Sequence, residues 1–181
     1  MEKEQNIDLT AARIELDQAK KEFDLMRNIF ELDILEVHWA NLLDHIEKSW
    51  NKTVQAAKEA KGFQKVKSEV ENLRKTDPLL KYMTNARHAN QHTIQPLAKK
   101  GKGDFAGMGK LLMTDANGNS KVVGEEPGYW TIVELLPFTN RNVTFTVPGY
   151  HRGNRIANDA FEIGRITIQY YQQVLDRVSS L

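Results

Sequence analysis

Apolar residues recur every three or four positions through the first half of the chain, the spacing that places them on one face of an α-helix. A first stripe runs to Phe30, and a second begins at Leu32 in a different register, so we expect a break or bend between about Asn28 and Asp33. The second helix should run to about Ala60 and end at Gly62. The two stripes are Leu9, Ala12, Leu16, Ala19, Phe23, Met26 and Phe30, then Leu32, Leu35, Trp39, Leu42, Ile46, Trp50, Val54 and Ala57.

Two further helices are predicted before the pattern changes. The third is marked by Phe63, Val66, Val70 and Leu73. A fourth should start at Asp77-Pro78, because proline fits the first helical position, and should run to about Ile94. Pro96 and the lysine- and glycine-rich stretch 99–103 are expected to end it, and the lysines there are expected to lie in a solvated loop.

Residues after 103 have the alternation and the turn signals of short strands. Asn117-Gly118 is a two-residue hairpin signal, and it lies between expected strands at 110–114 and 121–123. Further strands are expected at 130–136 and 143–147, with a turn at 139–142 between them. We therefore expect a small antiparallel meander, followed by a final helix that Asn154 caps.

These elements predict a mainly α fold of the α+β kind, an up-down helical bundle with a small antiparallel β-meander inserted before the C-terminal helix. Residues 1–181 should form a single domain, with a β-rich insertion at 103–150. Because a sheet of this size is not stable alone, the insertion is expected to pack on the bundle.

Composition narrows the classes of function. Of the 181 residues, 40% are hydrophobic and 27% are charged, as in ordinary globular proteins, and none is cysteine, which excludes disulfides, thiolate metal sites and a cysteine nucleophile. No apolar run approaches the roughly 18 residues that span a bilayer, and the charged N-terminus does not resemble a secretory signal. We therefore expect a cytoplasmic protein without a membrane partner. The net charge of +1 means that binding to nucleic acid would need a local basic patch.

One segment of the fourth helix concentrates polar side chains, namely Arg87-His88-Ala89-Asn90-Gln91-His92. At about 100° per residue, Asn90 falls on the buried stripe of a straight helix and Arg87 falls at its edge. His88 and His92 share a face roughly opposite the stripe and should point to solvent, to the β insertion or to a second subunit. A buried or half-buried Asn90 and Arg87 would need hydrogen-bond partners.

This segment resembles the motif of the HEPN superfamily, which is an arginine, a polar residue and, a few residues later, a histidine, placed late in a bundle helix. Arg87, His88 and His92 match those three positions. The resemblance rests on these six residues and their helical context. It implies a metal-independent endoribonuclease, or an inactive relative, of the toxin or defence type. It also implies a homodimer whose two motifs face one cleft, RNA as the substrate and no cofactor.

The residue types suit that chemistry. Cleavage of RNA by its own 2′-hydroxyl needs a proton acceptor, a proton donor and a group that stabilises charge on the phosphate. Histidine serves either proton role near neutral pH, and arginine presents a charged planar fork to phosphate oxygens. The candidate catalytic residues are Arg87, His88, Asn90 and His92, and the candidate phosphate-binding residues are Lys99, Lys100 and Lys102. Asn90 is also explained as a residue that caps or bridges helices.

Three alternatives stay open. His88 and His92 have the i, i+4 spacing of metal ligands, and His38 or His45 could supply a third, an arrangement similar to the DinB-like bundles with a divalent metal. The chain could instead be a non-enzymatic interaction domain that binds a protein partner through the β insertion. Finally, Arg87 and His92 could be ordinary surface and boundary residues that match a short pattern by chance.

Overall fold

The computed structural model describes residues 7–27, 31–92, 98–114 and 120–181, with side chains at all of these except 90–92, 100–114 and 120–132. Within them it has five helices and six strands, and it confirms a mainly helical fold with small antiparallel strand pairs before the last helix. The elements are α1 (Thr10–Met26), α2 (Leu32–Ala57), α3 (Phe63–Thr76), α4 (Pro78–His92), β1 (Ala98–Thr114), β2 (Ser120–Leu135), β3 (Phe138–Asn140), β4 (Val143–Phe145), β5 (Tyr150–His151), β6 (Asn154–Arg155) and α5 (Ala160–Ser179).

Helices α1 and α2 pack as an antiparallel pair. The hydroxyl of Ser49 donates to the carbonyl of Ala12 at 2.9 Å, and Nδ1 of His38 lies 2.6 Å from a carboxylate oxygen of Glu22, so residue numbers fall along one helix as they rise along the other. The predicted break between the two stripes is confirmed, because α1 ends at Met26 and α2 begins beyond it. The buried core includes most of both stripes. No helix among the described residues is long and apolar enough to cross a membrane.

Short turns connect α2, α3 and α4. Helix α2 ends at Ala57, slightly before the expected end, and Gly62 adopts a φ of +86° in the turn that starts α3, a conformation that glycine reaches without strain. Asp77 precedes α4 and accepts a hydrogen bond from the backbone of Leu80 at 3.1 Å. The predicted start of α4 at Asp77-Pro78 is therefore confirmed, with Asp77 as the capping residue.

The strands are antiparallel, as predicted, and they form three separate two-stranded sheets rather than one continuous meander. β1 and β2 pair up to Thr114 opposite Ser120, and the predicted Asn117-Gly118 turn lies outside the described residues. The stretch 99–103 belongs to β1 and is not a loop. Ala98 explains the difference, because its side chain is buried in the core and its backbone donates to Glu36 of α2 at 3.2 Å. The chain is thus anchored to the bundle soon after α4 and can pair with β2.

The β3–β4 hairpin packs directly on α4. Its two-residue turn consists of Arg141 and Asn142, at φ +49° and +63°, which is the left-handed pair that a tight hairpin turn requires and confirms the turn predicted at 139–142. The ring of Phe145 stacks on Phe138 at 5.2 Å, and Phe138 meets Tyr82 of α4 edge to face at 5.1 Å. These aromatic contacts hold the hairpin against α4.

The final helix begins later than the sequence predicted. Asn154 does not cap it, because Asn154 lies in β6, which pairs with β5 across a turn with positive φ at Arg152 and Gly153. Instead, Asp159 caps α5 by accepting a hydrogen bond from the backbone of Phe161 at 3.2 Å. The described strands therefore extend from 98 to 155, a wider span than the 103–150 expected.

Candidate functional site

Helix α4 presents its small and apolar side chains to the core and its polar side chains to the helix and hairpin beside it. The fully buried positions are Leu79, Leu80, Tyr82, Met83, Ala86 and Ala89. Arg87 and His88 are half-buried, so the placement of Arg87 at the edge of the buried stripe is confirmed. The backbone of Asn90 and His92 is helical, but their side chains lie outside the described residues, and their orientation stays a prediction.

Asp44 of α2 fixes the head of Arg87. Nε and Nη2 of Arg87 both donate to Oδ1 of Asp44, at 3.3 and 3.0 Å, and Lys48 contacts Oδ2 at 2.7 Å. Burial works to raise the pKa of Asp44, but the hydrogen bonds from Lys48 and Arg87 outweigh it and lower that pKa. The carboxylate is therefore ionised near neutral pH, and it provides the partner that a half-buried guanidinium needs.

His88 lies in a cleft of about 400 Å³ between α4 and the β3–β4 hairpin, which Arg141 and Phe145 also line. This position matches the expectation that His88 points away from the core and toward the β-rich segment. Burial lowers the pKa of His88, and the positive charges of Arg87 and Arg141 lower it further. The imidazole is consequently neutral at pH 7 and available as a proton acceptor.

A second cleft, of about 560 Å³, adjoins the first along the same face of α4, because Thr84, Asn85 and Phe145 line both. We call it the Lys81 cleft; helices α2, α3 and α4 and strand β4 form its walls, and its lining residues are Glu47, Trp50, Asn51, Glu71, Arg74, Lys75, Lys81, Thr84, Asn85 and Phe145. The two clefts are therefore neighbours on the face of α4 that carries His88.

Arg74 and Glu47 form the most buried ion pair that lines the Lys81 cleft. Nη2 of Arg74 lies 2.6 Å from a carboxylate oxygen of Glu47, and the two side chains are only 12% and 16% exposed. Burial alone would lower the pKa of Arg74, but nearby Tyr171 and Glu47 raise it, so the guanidinium is charged. The pair joins α2 to α3 at the base of the cleft.

Sequence reasoning did not single out Asp44, Glu47 or Arg74. A signal for them was present, because each is a charged residue next to a buried or partly buried apolar position of its helix, and such boundary positions bring opposite charges together when helices pack. The pairing itself depends on which helices are neighbours, and the stripes alone do not specify that.

The lysines proposed to bind phosphate are strand residues rather than loop residues. Lys99 of β1 is 57% exposed and lies 3.0 Å from Glu134 of β2, so a carboxylate already compensates its charge. The backbone of Lys100 and Lys102 also belongs to β1, but their side chains lie outside the described residues.

The structure does not bring together those histidines of the alternative metal site whose side chains it describes. Nδ1 of His45 lies 2.7 Å from Glu15 of α1, whereas His88 lines the cleft beside the β3–β4 hairpin. His38 likewise contacts a glutamate of α1, and the side chain of His92 is not among those described. Within the described part of the chain, no group of three or more potential ligands could hold a metal ion.

Comparison with known proteins finds no match to a family model, to a curated protein or to a solved structure. The features of the described residues that bear on function are Arg87, His88 and the two clefts along α4.

Proposed function

We propose that this chain is a metal-independent endoribonuclease of the HEPN type, with Arg87, His88 and His92 as its catalytic residues. One observation carries the proposal: the half-buried His88 lies in a cleft that Arg141 also lines, and the charges of Arg87 and Arg141 help to lower its pKa. A neutral imidazole near two positive charges, of which Asp44 holds Arg87 in place, suits proton abstraction next to a phosphate.

Each residue has a defined role in the proposed reaction. His88 accepts the proton of a 2′-hydroxyl, whose oxygen attacks the adjacent phosphorus. The 5′-oxygen leaves with a proton donated by His92, which gives a 2′,3′-cyclic phosphate and a 5′-hydroxyl end. Arg87 and Arg141 stabilise the charge on the non-bridging oxygens during the attack. Asn90 would orient the nucleotide or bridge helices.

Asp44 is a positioning residue in this scheme. It holds Nε and Nη2 of Arg87, and among the described residues Nη1 has no hydrogen-bond partner. One edge of the guanidinium is thus fixed to the bundle, and we assign the other edge to a phosphate oxygen. Because a fixed donor needs little reorganisation when charge develops, this arrangement favours catalysis over simple binding.

We further propose that the active form is a homodimer, as the resemblance to HEPN proteins implies. Two copies of α4 would then face each other and supply Arg87 and His92 to a shared cleft. Light scattering on the purified protein tests this step separately. A fully active monomer would contradict the proposed dimer but not the proposed catalytic residues.

A cleavage assay on end-labelled single-stranded RNA in the presence of EDTA tests the function. Since general acid–base catalysis contributes about 10²- to 10⁴-fold, His88→Gln and His92→Ala should each reduce the rate by at least roughly 100-fold. Arg87→Ala should act similarly. Arg165→Ala is the matched control, because Arg165 is exposed and its Nη1 donates to Gln169 of its own helix at 3.1 Å.

The substrate provides a second control. RNA with a single 2′-deoxy nucleotide should resist cleavage at that position, because its 2′-oxygen is the nucleophile. Activity that is equal in the wild type and all three motif variants, or that persists at the deoxy position, contradicts the proposal. Circular dichroism on each variant ensures that a lost rate is not lost folding.

A further inference from the structure

The Lys81 cleft is large enough for a small-molecule ligand. Its volume of about 560 Å³ lies inside the roughly 300–1,000 Å³ range of ligand pockets. Its lining combines charged, amide and aromatic side chains, and it contains neither Arg87 nor His88. It is therefore a separate recess beside the candidate catalytic cleft.

Positive charge in this cleft is only partly neutralised. Both lining carboxylates have cationic partners, since Glu47 binds Arg74 and Glu71 lies 3.7 Å from Lys67. By contrast, Lys75 and Lys81 have no ion-pair partner within the described part of the chain, and both side chains are exposed. Two uncompensated ammonium groups, one on α3 and one on α4, favour an anionic ligand.

Where the Lys81 cleft adjoins the cleft that His88 lines, its wall includes an aromatic ring from β4 and an amide from α4. Phe145 is held by stacking on Phe138, so its position is fixed before any ligand arrives. Asn85 donates its amide N–H to the backbone carbonyl of Lys81 at 2.8 Å, which leaves its side-chain oxygen as an acceptor. A planar ring with polar edges suits this wall, since aromatic side chains stack on nucleobases whatever their identity.

We infer that the Lys81 cleft binds a nucleoside phosphate, with the phosphate at Lys75 and Lys81 and the base against Phe145 and Asn85. The ligand is either a free nucleotide or one nucleotide of an RNA chain, because the two present the same chemistry. The inference goes beyond RNA cleavage and does not depend on it, since binding at this cleft requires none of the proposed catalytic residues.

Calorimetric titration of the full chain at low salt provides the test. The probes are UMP, AMP, uridine, inorganic phosphate and a 2′-O-methyl pentaribonucleotide, which has no free 2′-hydroxyl and so cannot be cleaved by the proposed reaction. UMP and AMP should bind with similar affinities, at least about tenfold tighter than uridine or phosphate alone, because each of those lacks one of the two contacts.

Matched charge reversals distinguish binding by the lysines of the cleft from a general effect of net charge. Lys75→Glu with Lys81→Glu should weaken nucleotide binding by at least about tenfold. Lys58→Glu with Lys65→Glu changes the net charge equally at exposed lysines outside the cleft and should change affinity by less than about twofold. Phe145→Leu should weaken the binding of UMP and leave the affinity for inorganic phosphate unchanged, because phosphate makes no contact with the ring.

The outcomes distinguish the two sources of the ligand. If the pentanucleotide binds more tightly than UMP and depends on the same lysines, the cleft holds one unit of an RNA chain; if UMP binds and the pentanucleotide does not, it holds a free nucleotide. Equal weakening by both charge reversals, or no binding of any probe by a folded protein, overturns the inference. Loss of RNA cleavage in His92→Ala with nucleotide binding retained shows that the two proposals stand or fall separately.

Discussion

Asp77 and His151 join the start of α4 to the β5–β6 hairpin, across 74 positions of sequence. Nδ1 of His151 lies 3.0 Å from Oδ1 of Asp77, which also accepts the backbone N–H of Leu80, while Oδ2 accepts the backbone N–H of Arg152 at 2.7 Å. The carboxylate is only 3% exposed. One side chain thus caps the helix that carries the candidate motif and fixes the hairpin that leads to α5.

Replacing Asp77 should therefore destabilise the protein more than an ordinary cap substitution. Asp77→Ala removes the helix cap, the contact with His151 and the acceptor for Arg152, and we expect a loss of about 3 kcal/mol in the free energy of unfolding. Urea denaturation at pH 7 measures it. Asp176→Ala, which removes an exposed carboxylate 3.5 Å from Arg13, is the control and should cost less than about 1 kcal/mol. Equal losses would contradict the role of Asp77.

The same carboxylate should make folding acid-sensitive. Burial works to raise the pKa of Asp77, but hydrogen bonds from Arg152, His151 and Leu80 outweigh it and lower the pKa below its usual 3.8. Stability from a depressed carboxyl pKa is fully present above the unfolded pKa and is lost as the pH falls through the folded pKa. The stability difference between wild type and Asp77→Ala should therefore shrink below about pH 4. A difference that does not change with pH would contradict this assignment.

The helical part of this fold was predictable because each helix is decided by local spacing. Most of the described positions in the stripes of α1 and α2 are buried, and Asp77-Pro78 correctly located the start of α4. The β-rich part was less predictable because strand pairing depends on distant partners. Stretch 99–103 looks like a loop by composition, but β2 provides it with a pairing edge and Ala98 is anchored in the core.

The candidate site divides in the same way. Helical periodicity placed Arg87 at a boundary and His88 on the outer face, and both placements agree with the structure. It did not provide their partners, because Asp44 is 43 positions away from Arg87 and Arg141 reaches the cleft only through the hairpin turn. Contacts of this kind follow from the packing of whole elements, which a single sequence does not specify.

Proton NMR titration of the imidazoles should find His88 with a pKa below its usual 6.5, since burial, Arg87 and Arg141 all act in that direction. Arg141→Ala should move the pKa of His88 upward, because one nearby positive charge is removed. Arg155→Ala removes an exposed arginine outside this cleft and should leave that pKa unchanged. A His88 pKa that is insensitive to Arg141→Ala would remove Arg141 from the proposed site.

The lowered pKa of His88 also has a consequence for the stability of the fold. A neutral imidazole in the folded state contributes stability above the unfolded pKa near 6.5, and this contribution is lost as the pH falls through the folded pKa. His88→Gln should therefore flatten the decline in unfolding free energy between about pH 7 and pH 5. If the unfolding free energy of the variant declines with falling pH as steeply as that of the wild type, groups other than His88 cause the decline.

Breaking the Arg74–Glu47 pair from one side should cost more than removing both charges. Glu47→Ala leaves a charged guanidinium in a largely buried position, and we expect a loss of about 3 kcal/mol. Arg74→Met with Glu47→Leu removes both charges and should recover at least about half of that loss, because no unpaired charge remains. Unfolding curves of the single and double variants measure the difference. A double variant less stable than Glu47→Ala would contradict the explanation.

Gly164 lies where α5 packs closely against side chains of α1 and α2. A β-carbon added there would lie 3.1 Å from two ring carbons of Phe23 and 3.4 Å from the ring of Trp39. Phe23 has little freedom to move, because its ring contacts Phe161 edge to face at 6.2 Å and Arg27 lies over it at 5.0 Å. The glycine is thus needed for packing.

Gly164→Ala should consequently destabilise the protein although alanine favours helices. The gain in helix propensity is about 1 kcal/mol, and overpacking a tight core costs about 1–3 kcal/mol, so we expect a net loss of roughly 1 kcal/mol. In a Phe23→Leu background the same change should become neutral or stabilising, since the obstructing ring carbons are gone. Gly149→Ala, with nothing within 4 Å of its added β-carbon, is the steric control and should not destabilise. Thermal unfolding of the four single and double variants measures whether each change stabilises or destabilises the protein. A Gly164→Ala protein that is more stable than wild type would show that the Phe23 ring moves to accommodate the added methyl group.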